Sequence, residues 1–542
     1  MRIKKTVGPA LLIVLFAALL VQLPKAIADR NSSYSWFDPI VDVRHLILER
    51  FYKAPDEAAM QRAMIDAMIR TLDDPHTVFV PPADERDFNK DLRGTYVGIG
   101  AEVNVVEGFL TISTPMDDSP SLEAGVMAGD VVLEINGTST FKVPINDSID
   151  LLLGEAGTTV NIKVRHLGGE EENLTITRRK IVARTVKGVR RKGLAWDYWL
   201  DSQVGIAYVR LTQFTDSSID ELKDAFRQIQ RGDLNGLVFD LRDNPGGGLS
   251  TAIQVSNLFL TKGKIVSMRG RKGKDSEKSW SAQTKNTLPD FPMVVLLNGG
   301  SASASEIVAG ALQENARAKV LGARSFGKGS VQEVHELPYH RGTLKVTAAR
   351  YYLPSGRNIA REKDSIIWGV DPDPGYAVPM TDEIYGTMLQ ARREYEIIRE
   401  EISHEGQDWS DPNWIKENIS DLQLAAALEA IQTRLKGDDW PVVGQDNPGI
   451  LALDKESTRR LNERERIIKR LKQIDERLSE INQLAARAGR PPLLPPEIET
   501  AEGTITVRDK HGNVIGTYRI EDGNLELALQ QVHLSPIESI AQ

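Results

Sequence analysis

Two short stretches of this 542-residue chain carry most of its reactive side chains. The first, Asn298-Gly299-Gly300-Ser301-Ala302-Ser303-Ala304-Ser305-Glu306, joins an apolar run, Met293 to Leu297, to a helical pattern. A serine on such a strand-to-helix turn is exposed at a sheet edge near the positive end of a helix dipole. The segment is not a G-x-S-x-G elbow. Read alone, its three serines are better explained as helix caps, whose hydroxyls bond free N–H groups. The second stretch, Ser325-Phe326-Gly327-Lys328-Gly329-Ser330-Val331-Gln332, sets one lysine between two glycines. Flanking glycines let the backbone pack closely, so the amine can be drawn out of water, and burial lowers its pKa. A shift from ~10.4 to ~7 takes about 4–5 kcal/mol of environmental bias. Only the neutral amine can serve as a general base. Gln332 lies four residues on. If the segment is a strand, both side chains face one side, and the amide oxygen could accept from the amine and hold it toward a serine. An anion loop or a surface turn are the competing readings, although Gly-Lys-Gly-Ser is only a fragment of a P-loop.

Such side chains need rigid elements behind them. Gly236 to Leu241 and Met293 to Leu297 are apolar runs of buried-strand length, and Val204 to Leu211 is a third strand pattern. Helical patterns over Ser217 to Arg231 and about Ala304 to Asn315 alternate with them, so residues 190–380 form an α/β core with helices against a sheet. Upstream, residues 36–92 follow helical spacing, with a break at Asp73-Asp74-Pro75-His76, because the residue before proline avoids the helical region. Residues 381–490 are a charged helical extension in which Asp421 to Leu435 is amphipathic. Ile467, Leu471, Ile474, Leu478 and Ile481 alternate spacings of four and three over little more than two heptads, which fits either a helix packed on its own domain or a seam between copies of the chain. Pro491, Pro492, Pro495 and Pro496 form a stiff linker. In the last region, residues 497–542, Thr504 to Val507 and Val514 to Tyr518 flank a hairpin turn.

Net charge is −9, so no overall basic field exists to hold nucleic acid. There is no cysteine, which excludes disulfides, thiolate metal sites and a cysteine nucleophile. Arg2, Lys4 and Lys5 precede an apolar run, Val7 to Leu23, and Ala26-Ile27-Ala28 then supplies a small-residue cleavage pattern. Residues 1–28 therefore read as a signal peptide, placing the body of the protein in the periplasm or another extracytoplasmic space. Left uncleaved, the same segment would tie the chain to a membrane, though it is short for a span of ~20 residues.

Residues 95–182 resemble a PDZ domain, through Tyr96 to Val103, Ser119-Pro120-Ser121-Leu122-Glu123-Ala124-Gly125, Ala128-Gly129-Asp130 and Ile135-Asn136-Gly137. PDZ domains bind a peptide as an added strand and capture its terminal carboxylate on backbone N–H groups; by this resemblance Gly98, Ile99, Gly100 and Ala101 form the carboxylate loop. The two reactive stretches together resemble the C-terminal processing peptidases, or tail-specific proteases. Leu72 to Phe79, Asp240-Leu241-Arg242-Asp243-Asn244-Pro245-Gly246-Gly247-Gly248 and Thr347 to Gly356 resemble further segments of that family. The likeness covers about residues 36–375, and the helix at Asp421-Leu422-Gln423-Leu424 also looks family-like; about 45 residues between Pro372-Asp373 and that helix, and everything after about 440, have no recognised counterpart. It implies a crotonase-like α/β peptidase core with an inserted PDZ domain, an N-terminal helical segment and a helical C-terminal extension. It implies Ser303 as nucleophile, Lys328 as general base, Gln332 as the residue orienting the lysine, and the N–H groups of Gly247 and Ala304 as an oxyanion hole. No metal or organic cofactor is implied. The expected substrates are proteins or peptides with free apolar C-termini. A Ser–His–Asp arrangement with His76 or His335 as base is the internal competitor, and a PDZ-based binding scaffold is the alternative from outside enzymology.

Overall fold

The computed structural model describes residues 35–85, 88, 95–230, 232–284, 287–362, 365–398, 406–446, 448–487, 489, 504–508, 511 and 513–519. The expected signal peptide and proline linker lie outside them. The chain divides into two compact units, one ending at Ala452 and one beginning at Leu453.

The apolar runs become the centre of the first unit. Strands β1 (Ile206–Leu211), β2 (Gly236–Asp240), β3 (Met293–Leu297) and β4 (Lys319–Gly322) pair in parallel in that order. Every residue of the first three is buried, as expected of parallel strands covered on both faces. Alternation along each strand sends side chains to two cores. Ala207, Val209, Leu211, Leu237, Phe239, Val295 and Leu297 pack under helices α1 (Ser218–Ile229), α2 (Leu249–Asn257) and α3 (Ala304–Glu314). Ile206, Tyr208, Val238, Val294 and Leu296 face the opposite way, against helix α5 (Leu422–Leu435). The region read as an extension therefore supplies the second helical layer of the core. Gly236 records how closely that layer approaches: a Cβ there would lie 2.5 Å from the Ile431 side chain.

A buried charge cluster ties α5 to the sheet. Arg242 binds Asp240 and, through both terminal nitrogens, Asp421 at 2.8 Å. Asp421 also caps α5, accepting the Leu424 N–H at 2.9 Å. Burial would raise the Asp240 carboxyl, but the guanidinium of Arg242 beside it holds it down at about 2.

A second, antiparallel sheet lies beside the core. Its strand Thr343–Tyr352 pairs with Ser330–Glu336, with Lys264–Gly270 and, at its start, with Val78–Val80 of the N-terminal segment. Upstream, helices Asp38–Arg50 and Glu57–Arg70 bury no side chain. Residues between them and the core form a small sheet with strands Ala101–Val106, Phe109–Pro115, Val131–Ile135, Thr159–Arg165 and Glu171–Thr177 around Leu110, Ile112, Val132, Ile162 and Ile176. The antiparallel pair Thr95–Gly98 with Arg179–Val182 closes both its ends together. A helix runs from Pro448 to Arg487, and in the second unit Thr504–Arg508 pairs antiparallel with Val514–Arg519, the hairpin read from sequence. No helix among the described residues is long and apolar enough to cross a membrane.

Candidate active site

Ser303 sits at the junction of β3 and α3, 7% exposed, with φ 55° and ψ −111°. A non-glycine residue in that region costs about 1–3 kcal/mol and persists only where its surroundings fix it. Here they do. The Ser303 N–H donates to Glu306 Oε2 at 2.7 Å, the Ala302 N–H to the Asn244 carbonyl at 2.9 Å, and the Ser305 hydroxyl to that same carbonyl at 2.9 Å.

The glycine loop after β2 lies directly against this turn. Asn244 Oδ1 accepts the Gly246 N–H at 2.9 Å, and Phe214 exchanges backbone bonds with Gly246 and Gly248. Gly246 has φ 98° and Gly247 φ 148°. A Cβ on Gly246 would lie 2.8 Å from Ser303 Cβ, and one on Gly247 2.1 Å from the Phe214 carbonyl oxygen. Only glycine fits either position. The Gly247 and Ala304 N–H groups donate to no acceptor among the described residues, so two unoccupied donors flank Ser303, as an oxyanion hole requires.

Lys328 lies on the loop between β4 and strand Ser330–Glu336. Its flanking glycines do pack closely: a Cβ on Gly327 would lie 2.6 Å from Trp368, and one on Gly329 2.4 Å from the Ala360 nitrogen. The Lys328 N–H donates to Glu306 Oε2 at 2.9 Å. The same carboxylate oxygen thus holds the backbones of both Ser303 and Lys328. Its partner, Oε1, takes the Gly327 N–H at 2.7 Å and the Ser325 hydroxyl at 2.6 Å. Burial pushes the Glu306 carboxyl above its ordinary value, opposed by these four donors. Burial pushes the Lys328 amine down, and the like charge of Lys345 adds to that, against an opposing pull from Glu306. The amine forms no hydrogen bond or ion pair among the described residues, so Ser303 and Lys328 are joined through their backbones and not through their side chains.

Gln332 is placed differently from the simple strand expectation. Lys328 precedes the strand, which begins at Ser330, so no ladder sets its side chain on the face of Gln332; the register irregularity beside Val331 puts its extra residue, Ala348, on the partner strand. The Gln332 amide nitrogen donates to Ser330 at 2.7 Å and to Thr347 at 3.3 Å, with no bond to Lys328. Of the two histidines, His335 rests on Glu333 at 3.2 Å on an exposed strand. His76 lies within electrostatic reach of Lys328; burial, then the positive charge of Lys328, lower its pKa. Neither imidazole is bonded to Ser303.

In the small upstream domain, Ile99 is buried and Gly100 takes φ 77°. A Cβ on Gly100 would lie 2.5 Å from Ser119 Cβ. The Ile99 and Gly100 carbonyls are bonded to Ser121 and Met116, while the Ile99 and Gly100 N–H groups find no acceptor among the described residues.

Two contributors were missed in the sequence. Glu306 carries a readable signal, since Ser303-Ala304-Ser305-Glu306 has capping-box spacing. Lys345 has none, because its nearness to Lys328 depends on strand pairing.

The turn thus carries a serine on a strand-to-helix junction, with a desolvated lysine and two N–H donors that have no acceptor among the described residues. A family model for peptidase family S41 matches residues 205–375, and a PDZ-domain model matches residues 111–166. The carboxy-terminal-processing protease of Bartonella bacilliformis is 34% identical over 380 residues, covering 69% of this chain and 83% of that protein. The probable CtpA-like serine protease of Staphylococcus haemolyticus is 33% identical over 335 residues, covering 62% of this chain and 63% of that one. The solved photosystem II D1 C-terminal processing protease is 28% identical, covering 65% of this chain and 90% of its own at a TM-score of 0.37. The chain belongs to peptidase family S41, and is a serine-type peptidase of the carboxy-terminal-processing kind carrying a PDZ domain.

Replacing Glu306 with alanine strands three backbone N–H groups and a hydroxyl. Each buried donor left unsatisfied costs about 1–3 kcal/mol. Glu306→Ala is expected to lower the urea midpoint of the core and to abolish turnover together; wild-type stability would show that the four bonds do not hold the loops.

Proposed function

We propose that this chain is an exported endopeptidase that cleaves proteins from or near their C-terminal tails by a Ser303–Lys328 pair. Ser303 Oγ attacks the scissile carbonyl while the neutral Lys328 amine takes its proton. Charge developing on the carbonyl oxygen meets the Gly247 and Ala304 N–H groups. The lysine then protonates the leaving amine, and water releases the acyl group by the same steps in reverse order. Gln332, whose amide oxygen takes no donor among the described residues, orients the amine. The side chains of Ser303 and Lys328 meet when substrate is bound, since catalytic hydrogen bonds are commonly loose in the unliganded state. The observation carrying this reading is the Glu306 oxygen that accepts from both backbones, beside the two unoccupied donors.

The PDZ domain captures the terminal carboxylate of a protein or peptide substrate at Gly98 to Ala101, with an apolar last side chain in the adjacent pocket. The unoccupied Ile99 and Gly100 N–H groups support this. Export rests on residues 1–28 acting as a cleaved signal peptide into the periplasm or an equivalent space.

Activity should rise with pH as Lys328 loses its proton. Because Lys345 holds that pKa down, Lys345→Met raises it, and the acid limb of kcat/KM moves to higher pH, while Lys345→Arg leaves the limb in place. Lys328→Arg is inactive, since arginine stays charged. An unmoved limb in Lys345→Met, or activity in Lys328→Arg, defeats the lysine-base mechanism. A peptide ending in a free carboxylate and an apolar residue should be cut faster than its amidated twin; equal rates would remove the PDZ domain from substrate selection and leave the Ser–Lys chemistry standing. Sequencing of the exported protein should find a first residue near Asp29, and an intact 1–28 would indicate a membrane anchor instead.

A further inference from the structure

Helix α4 (Asp382–Glu396) lies in the part of the chain without a counterpart in the sequence resemblance, yet its first turn reaches the catalytic loops. The Tyr385 hydroxyl donates to Asp243 Oδ2 and accepts from Asn298 Nδ2 at 3.0 Å. Asn298 Nδ2 also donates to Asp243 Oδ1 at 2.9 Å, closing a ring of three side chains. Asn298 Oδ1 then accepts the Asp243 N–H and the Gly300 N–H, each at 2.9 Å. Asp243 begins the loop that ends in Gly247, and Asn298 begins the turn that ends in Ser303 and Ala304. The ring therefore clamps together the roots of the two segments whose N–H groups flank Ser303. Asp243 is held there at φ 57°, in the left-handed region, and a Cβ on Gly300 would lie 2.8 Å from its Oδ1.

The helix that carries Tyr385 is fixed at both ends. Thr381 caps its start, accepting the Ile384 N–H at 3.2 Å. At its end Glu396 is bound by Arg210 of β1 at 2.7 Å and by Lys187 at 3.2 Å, and Met388 between them is fully buried. The tyrosine hydroxyl is thus delivered by a rigid element anchored to the core sheet.

We propose that Tyr385 is a positioning residue for the oxyanion hole, holding Asp243 and Asn298 so that the Gly247 and Ala304 N–H groups converge on one oxygen. This rests on the reading of those two groups as the hole. Loss of a whole oxyanion donor costs about 10²–10³ in kcat; loosening both donors without removing either costs less, about tenfold.

The test uses Tyr385→Phe in the full chain, which keeps the aromatic side chain and deletes only the hydroxyl. Four quantities are measured: kcat, KM, thermal midpoint, and affinity for a peptide aldehyde, whose adduct with serine places an oxyanion in the hole. The affinity for the matching peptide acid, which makes no adduct, serves as reference. The proposal expects kcat and aldehyde affinity to fall together by about tenfold, with KM, peptide-acid affinity and thermal midpoint near wild type. In Asp243→Asn the same losses should appear, and the double variant should be no worse than the poorer single, because both act through one ring. Wild-type kcat and aldehyde affinity in Tyr385→Phe would overturn it. So would a kcat loss accompanied by a fallen midpoint with an unchanged ratio of aldehyde to acid affinity, the signature of a merely structural role. Ser303→Ala is assayed alongside: turnover surviving there would defeat the Ser303 assignment itself, whereas an inert Ser303→Ala with an unaffected Tyr385→Phe defeats only the positioning role.

Discussion

The site depends on one buried carboxylate. Glu306 is fully buried, and all four of its partners donate: the N–H groups of Ser303, Gly327 and Lys328 and the hydroxyl of Ser325. No acceptor faces it in that set, so the ionised form is the one its surroundings match. Hydrogen bonds to a charged group contribute about 1.5–3 kcal/mol each, and the strained backbone at Ser303 costs about 1–3 kcal/mol. The bonds to Glu306 fix that strained turn in place, with the burial of the carboxylate weighing against them. They also explain why two segments some 25 residues apart in sequence converge: α3 presents the carboxylate from its first turn, and the lysine loop must fold onto it to avoid leaving the charge unsatisfied.

How much of this was legible in sequence follows from the range of the forces involved. The parallel strands were legible because a strand buried on both faces must be apolar throughout, as Leu237-Val238-Phe239 and Val294-Val295-Leu296 are. The glycines around Lys328 and in the 246–248 loop were legible because close backbone approach has a compositional cost that only glycine avoids. Helix α5 was legible as a helix but not as a layer of the core. Its apolar residues say that something covers them; that the cover is the second face of the sheet depends on Arg242 meeting Asp421, a pairing between distant residues with no local mark. Gln332 shows the other limit. A period of two is reliable only within a ladder, and Lys328 lies outside the one that begins at Ser330. Tyr385 left no trace either, since one tyrosine on a polar helix has no pattern to distinguish it.

The core's two helical layers divide the work. Helix α3 carries Glu306 and the serine turn, while α5 has the buried cluster Arg242–Asp240–Asp421 at its start, immediately below the loop that leads to Gly247. A buried pair of this kind adds little net stability against an apolar replacement, but losing one partner leaves an uncompensated charge costing about 3–5 kcal/mol. Its effect is to make the exit of the chain from β2 a fixed point. Asp243 and Asn244 leave from there, the first toward Tyr385 and Asn298, the second toward Ala302 and Ser305. The geometry around Ser303 is thus referred back to the sheet through side chains, rather than left to loop backbone alone.

The same carboxylate bears on the lysine base proposed above. A lysine amine beside an unengaged carboxylate would form an ion pair, which raises its pKa and keeps it charged. Glu306 does raise the pKa of Lys328, but it ranks behind burial and the like charge of Lys345. An ionised carboxylate offers about four lone-pair sites, and four donors from the two loops already take them. Glu306 can therefore hold the Lys328 backbone without capturing its amine. The carboxylate that brings the two loops together thus has its acceptor sites taken by their donors, and the Lys328 amine is left without a hydrogen-bond partner among the described residues.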